Sequence, residues 1–110
     1  MAWGDNVNTE EEAARIAAVR EYFYQHLPEA TVRDSYDAGR LAQVFRIEAS
    51  DFGGFRDAVV STEFLMEHEP DKLGKVLTGW RVAQHLRSAK GTEVAVTTWG
   101  IEEPSRGAGL

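Results

Sequence analysis

Residues 69 to 91 read EPDKLGKVLTGWRVAQHLRSAKG, and this stretch decides the architecture because a helix start, an apolar stripe and a helix stop share one register. Pro70 suits the first helical position, where a missing N–H costs nothing. Leu73, Val76, Leu77, Trp80, Ala83 and Leu86 recur at helical spacing, and Gly91 is a natural left-handed C-terminal cap. A single helix from Glu69 to Gly91 is expected, anchored in the core by Trp80. Gly74 and Gly79 run against the pattern, since each costs about 1 kcal/mol relative to Ala inside a helix. Close packing against the protein's own sheet is the first expected reason, and a partner helix approaching across the two glycines is the second.

Working upstream, Thr9 and Glu12 form a capping box, and Glu10 and Glu11 put negative charge beside the exposed N–H groups of a first turn. Ile16, Val19, Phe23 and Leu27 mark an apolar helical face, with Ala13 alongside, while Arg15, Glu21 and Gln25 fall elsewhere and Pro28 discourages continuation. Ala30 to Tyr36 has strand composition, and Asp37-Ala38-Gly39 reads as a three-residue hairpin loop with Gly39 supplying a positive φ. The next run alternates, with Leu41, Gln43, Phe45 and Ile47 on one face and Ala42, Val44, Arg46 and Glu48 on the other, so Phe45 and Ile47 are expected core residues.

Asp51-Phe52-Gly53-Gly54 reads as a second turn, leading into a third strand, Phe55 to Ser61, around Ala58, Val59 and Val60. Thr62 to His68 is ambiguous, with one helical turn over Phe64, Leu65 and Met66 packing beneath the sheet as its simplest form. Glu93 to Trp99 alternates Val94 and Val96 with more polar neighbours, giving a fourth strand. The expected fold class is α+β: a two-layer sandwich in helix-strand-strand-strand-helix-strand order, with an antiparallel sheet and both helices on one face. One domain is expected over 9 to 101, between a flexible N-terminus (1 to 8) and a flexible C-terminal tail (102 to 110).

A chain of 110 residues supports one core, and 43% hydrophobic content is that of a globular protein. Its formal charge of −6 repels a phosphate backbone unless the basic residues cluster, and suits a partner with a basic surface. With no cysteine, disulfides, thiolate nucleophiles and cysteine-held metals are excluded. No secretory organisation and no run near the ~20 apolar residues of a membrane span is visible, so a soluble cytoplasmic protein with no membrane partner is expected.

Familiar chemistries find little support. His26, His68 and His85 show no metal-ligand spacing, and His26 and His85 sit where helix-end carbonyls attract imidazole. Ser and Thr residues fall at turns and strand ends, outside any nucleophile elbow. Gly53-Gly54 lacks the residues of a phosphate loop, and no cofactor is implied. A cleft holding Glu48, His68 and Asp71 beside the second helix is the one arrangement that would suit a small enzyme or ligand-binding protein.

Arg33, Arg46 and Arg56, one on each of the first three strands, would form a ligand or nucleic-acid face if they aligned, although Asp34, Glu48 and Asp57 are placed to neutralise them. In outline the element order resembles that of double-stranded-RNA-binding domains, whose second helix begins with phosphate-contacting lysines. Here that position reads Glu69-Pro70-Asp71-Lys72-Leu73-Gly74-Lys75, where acids accompany the two lysines, and a further strand follows, so the resemblance covers element order alone. Trp3 and Trp99 lie near the ends, where a large aromatic gains from a partner surface. The leading expectation is therefore a non-catalytic interaction or regulatory module that binds a protein through Trp3, Trp99 or the Gly74 and Gly79 face. A second copy is the simplest partner, and an edge strand, Ala30 to Tyr36 or Glu93 to Trp99, would pair across a two-fold axis.

Overall fold

The structure, a computed structural model, describes residues 10–89 and 91–102. In chain order it contains α1 (Glu10–His26), β1 (Thr31–Asp37), β2 (Ala42–Ala49), a 3-10 turn (Ser50–Phe52), β3 (Gly54–Ser61), α2 (Thr62–Met66), α3 (Pro70–Gly79), α4 (Val82–Ser88), β4 (Glu93–Thr97) and β5 (Gly100–Glu102). This is a compact α+β arrangement of a five-stranded sheet and four helices. The strands lie in sequence order, β1-β2-β3-β4-β5. Expected termini 1 to 8 and 103 to 110 lie outside the described residues, whereas Glu102 belongs to β5.

The alternation along β2 places Phe45 and Ile47 fully inside, where they meet Val19 and Phe23 of α1, Val60 of β3 and Val94 and Val96 of β4 in one cluster. Arg46 and Glu48 point the other way and are exposed. The expected wholly antiparallel sheet is corrected to a mixed one, because β3 and β4 run parallel, pairing Ala58 with Val94 and Val60 with Val96. The reason is the helical crossover: α3 and α4 carry the chain back to the end where β3 began, so the next strand must start from there.

The expected single helix over 69 to 91 is two. α3 ends at Gly79, Arg81 adopts a left-handed φ of 59°, and α4 ends at Ser88 with Ala89 as its extended cap, short of Gly91. The break lets Trp80 lean on Phe64, with ring centroids 5.2 Å apart, while Val82, Ala83 and Leu86 remain buried. Arg81 provides no side-chain cap for α4, and the Tyr22 hydroxyl of α1 takes that role by accepting the Ala83 N–H at 2.9 Å. Burial raises the Tyr22 pKa above its ordinary value, partly offset by the backbone N–H groups of Ala83 and Val82.

Arg15 is the second tie between elements, and it departs from the expected polar face of α1. Only 8% exposed, it donates from Nε to the carbonyls of Leu65 at 2.8 Å and His68 at 2.9 Å. Those bonds fix the segment that the sequence leaves ambiguous: α2 forms, capped by the Ser61 hydroxyl on Phe64 N, and buries Phe64 and Leu65 but not Met66.

The β1–β2 loop also differs from expectation. Turn residues run from Ala38 to Leu41, and the Asp37 carboxylate accepts N–H groups from Gly39 at 3.0 Å and Arg40 at 3.3 Å. The positive φ therefore falls on Leu41, at 51°, rather than on Gly39. Leu41 is held in that conformation by its carbonyl, which accepts Thr62 N–H at 3.0 Å.

Candidate interaction surface

The expected arginine platform does not assemble. Arg33 and Arg46 are register partners on the open face of the sheet, but Arg56 pairs with Ile47 and so belongs to the helix-side face. There it packs under the Phe52 ring and donates to the carbonyls of Phe55 and Phe52. Arg46 is engaged by Asp57 through two parallel hydrogen bonds of 2.9 and 3.0 Å, which raise its pKa. Asp34 neutralises Arg20 of α1, at 2.6 Å, instead of Arg33. Of these three arginines, Arg33 alone has no side-chain partner among the described residues.

The proposed cleft is likewise not formed. Glu48 lies on the open face, in the β2 rung opposite Thr31 and Phe55, at the end of the sheet remote from α2. His68 and Asp71 lie in the helix layer, where His68 rests on the Phe64 ring at 4.6 Å and offers its carbonyl to Arg15. Among the described residues no three His, Asp or Glu side chains gather as a metal site. A small cavity of ≈ 230 Å³, bounded by Leu27, Pro28, Ala30, Ala49, Ser50 and Arg87 among others, contains none of the three cleft residues.

Close packing of Gly74 and Gly79 against the protein's own sheet is overturned as well, because a Cβ at either position would meet nothing within 4 Å in the chain. Gly79 ends α3, beside the left-handed Arg81. Gly74 lines a shallow trough with Gln25 and Thr78, and nothing in the structure explains why glycine stands there. Nor is Glu93 to Trp99 an edge strand: β4 is flanked by β3 and β5, leaving β1 and β5 at the edges.

What the structure does bring together is a set of exposed apolar side chains at one end of the sheet. The β1–β2 loop, the β3–α2 junction and the β4–β5 turn all fall there, since Ala42 pairs with Ser61 while Val60 and Val96 run side by side to the same end. Leu41, bonded through its carbonyl to Thr62, is 63% exposed; Met66, one helical turn beyond Thr62, is 61% exposed; Trp99 is 89% exposed. The turn carrying Trp99 is fixed: Thr97 Oγ1 donates to the Gly100 carbonyl at 3.0 Å and accepts Trp99 N–H at 3.1 Å, and Gly100 takes a φ of 128°. Trp99 thus stands on a hydrogen-bonded turn with its indole in solvent, in contrast to Trp80, which packs on the core. Trp3 lies outside the described residues.

The charges around this end are uneven. Arg40 is committed to Asp37 at 3.1 Å and to Glu93 at 2.9 Å, the latter being the larger cause of its raised pKa. Glu63 and Glu67, exposed on either side of Met66 in sequence, make no side-chain bond among the described residues. Among the described residues, no helix is long and apolar enough to cross a membrane. Comparison with protein-family models, with curated proteins and with solved structures finds no match to the chain.

Proposed function

We propose that this chain is a small cytoplasmic, non-catalytic protein-interaction module whose working surface is the sheet end carrying Leu41, Met66 and Trp99. The observation that carries the reading is Trp99, 89% exposed on a hydrogen-bonded turn at the same end as Leu41 and Met66, two of the three other large exposed apolar residues among those described; the third, Tyr24, stands on α1. Scattered exposed apolar residues need no explanation, but three at one end, one of them an aromatic on a hydrogen-bonded turn, match the anchors of binding surfaces. Leu41 adds to this, because a bulky residue in left-handed backbone is a strain tolerated where the side chain's position matters. Photo-crosslinking in cells from positions 99 and 66, with position 48 at the remote end as control, tests the reading. A specific adduct from 99 and 66 that Leu41→Ser abolishes supports it, and equal labelling from all three positions sinks it.

A second reading, self-association through β1, is favoured by the unpartnered Arg33. If two β1 strands pair antiparallel about a two-fold axis at Ser35, Arg33 falls opposite Asp37 of the second copy, twice. Sedimentation from about 1 μM to about 1 mM, spanning the weak-dimer range, tests this, with Arg33→Asp expected to dissociate any dimer. A monomer throughout discards it.

A further inference from the structure

We infer that the occupant of the Leu41, Met66 and Trp99 surface is a different protein that presents apolar side chains bracketed by lysine or arginine, and not a second copy of this chain. The inference rests on the interaction reading above and adds the chemistry of the partner. Its argument is charge complementarity. Met66 is the exposed apolar residue that ends α2, and the exposed carboxylates of Glu63, in the helix's first turn, and Glu67, its C-cap, stand on either side of it in sequence with no cation paired to either among the described residues.

Arg15, the cation that reaches α2, is committed through Nε to the Leu65 and His68 carbonyls, Arg40 holds Asp37 and Glu93, and Arg81, at the break between α3 and α4, forms no ion pair with either carboxylate. Two unpaired acids beside an apolar patch are a poor surface for self-docking, since an isologous dimer would bring each pair toward its own copy across the axis. The chain's formal charge of −6 works in the same direction, repelling a second copy and steering a basic partner in. An apolar contact ringed by lysine or arginine satisfies both features at once: its aliphatic or aromatic side chains cover Leu41, Met66 and Trp99, and its cations meet Glu63 and Glu67 at the rim.

The test uses the full chain and a fluorescein-labelled amphipathic peptide of leucine and lysine, alongside a leucine and glutamate peptide with the same apolar pattern, both read by fluorescence anisotropy. The lysine peptide is expected to bind, and the double variant Glu63→Gln with Glu67→Gln to weaken it about tenfold, with the loss shrinking as salt rises. Glu29→Gln with Glu48→Gln makes the same change of charge at the remote end of the sheet and is expected to leave affinity within about twofold, because exposed charges beyond a Debye length are screened. Equal weakening by both double variants, or equal binding of the glutamate peptide, overturns the inference. So does a dimer of the chain that Trp99→Ala dissociates, since the occupant is then a second copy. Trp99→Ala separates the two levels: if it leaves lysine-peptide affinity unchanged, the surface itself is wrong and the interaction reading falls with it. If it abolishes binding that the Glu63 and Glu67 variant does not alter, the surface stands and the basic partner does not.

Discussion

Two aromatic side chains, Tyr22 and Trp99, show how differently this molecule treats its interior seam and its sheet end. Tyr22 is 2% exposed, its ring lies against Phe23 and His26, and its hydroxyl completes α4. Trp99 is equally well positioned by its backbone and touches almost nothing with its indole. At the seam the Tyr22 hydroxyl finds a partner and the ring's apolar area is covered, which is what stability requires. At the sheet end the backbone is satisfied and the apolar area is left to solvent, which gains nothing for the isolated chain.

If that contrast holds, substitutions at the seam should act on folding and those at the sheet end on binding. The largest effect is expected at Arg15, where Arg15→Met removes the Nε donor shared by the Leu65 and His68 carbonyls, leaving Leu65 only the longer 3.4 Å bond from His68 N–H, and costs about 2–3 kcal/mol in urea unfolding. A loss under about 0.5 kcal/mol would show that the 62–68 segment is held by Phe64 and Leu65 alone. Next, Tyr22→Phe should cost about 1–2 kcal/mol by orphaning the Ala83 N–H. This substitution also carries a pH signature. Because the folded Tyr22 pKa is raised above the unfolded value of 10.0, its protonated form contributes stability that is complete below pH 10.0 and is lost as pH rises through the folded pKa. Wild-type stability should therefore fall above that pH, and Tyr22→Phe should flatten the fall.

At the other region the sign reverses. Leu41→Gly relieves a left-handed φ of 51° and should raise stability by about 0.5–1 kcal/mol while weakening any partner. The smallest expected effect on folding is Trp99→Ser, within about ±0.5 kcal/mol by thermal unfolding, because the indole contacts almost nothing in the free chain. A loss of several kcal/mol there would erase the distinction between the two regions.

The seam and the sheet end were also unequally legible in sequence. Period-two alternation identified Phe45 and Ile47 because one face of β2 is buried and the other is not. The break at Arg81 was hidden, since Leu77, Trp80, Ala83 and Leu86 keep helical spacing through it and Gly79 reads as a tolerated interior glycine. Arg15 looked like a solvent residue, because its partners are carbonyls of a segment far along the chain and no side-chain pattern announces them. Trp99 was visible as an aromatic near an end, whereas alternation assigned Leu41 to the inner face of a strand that in fact starts one residue later. Arg56 was lost to the same rule in reverse: adjacent to Asp57, it takes the opposite face from Arg46. Where burial follows a local period the sequence is informative, and where it follows a turn's register or a distant carbonyl it is not.

The parallel pairing of β3 with β4 also has a consequence in time. β1, β2 and β3 meet through short loops, but Asp57 can find Glu93 only after the whole helical crossover has been gathered in. β4 and β5 are therefore expected to join late in folding and leave early in unfolding, taking Trp99 with them. On the reading proposed above, a partner that covers Trp99 binds molecules in which β4 and β5 are docked and slows their release.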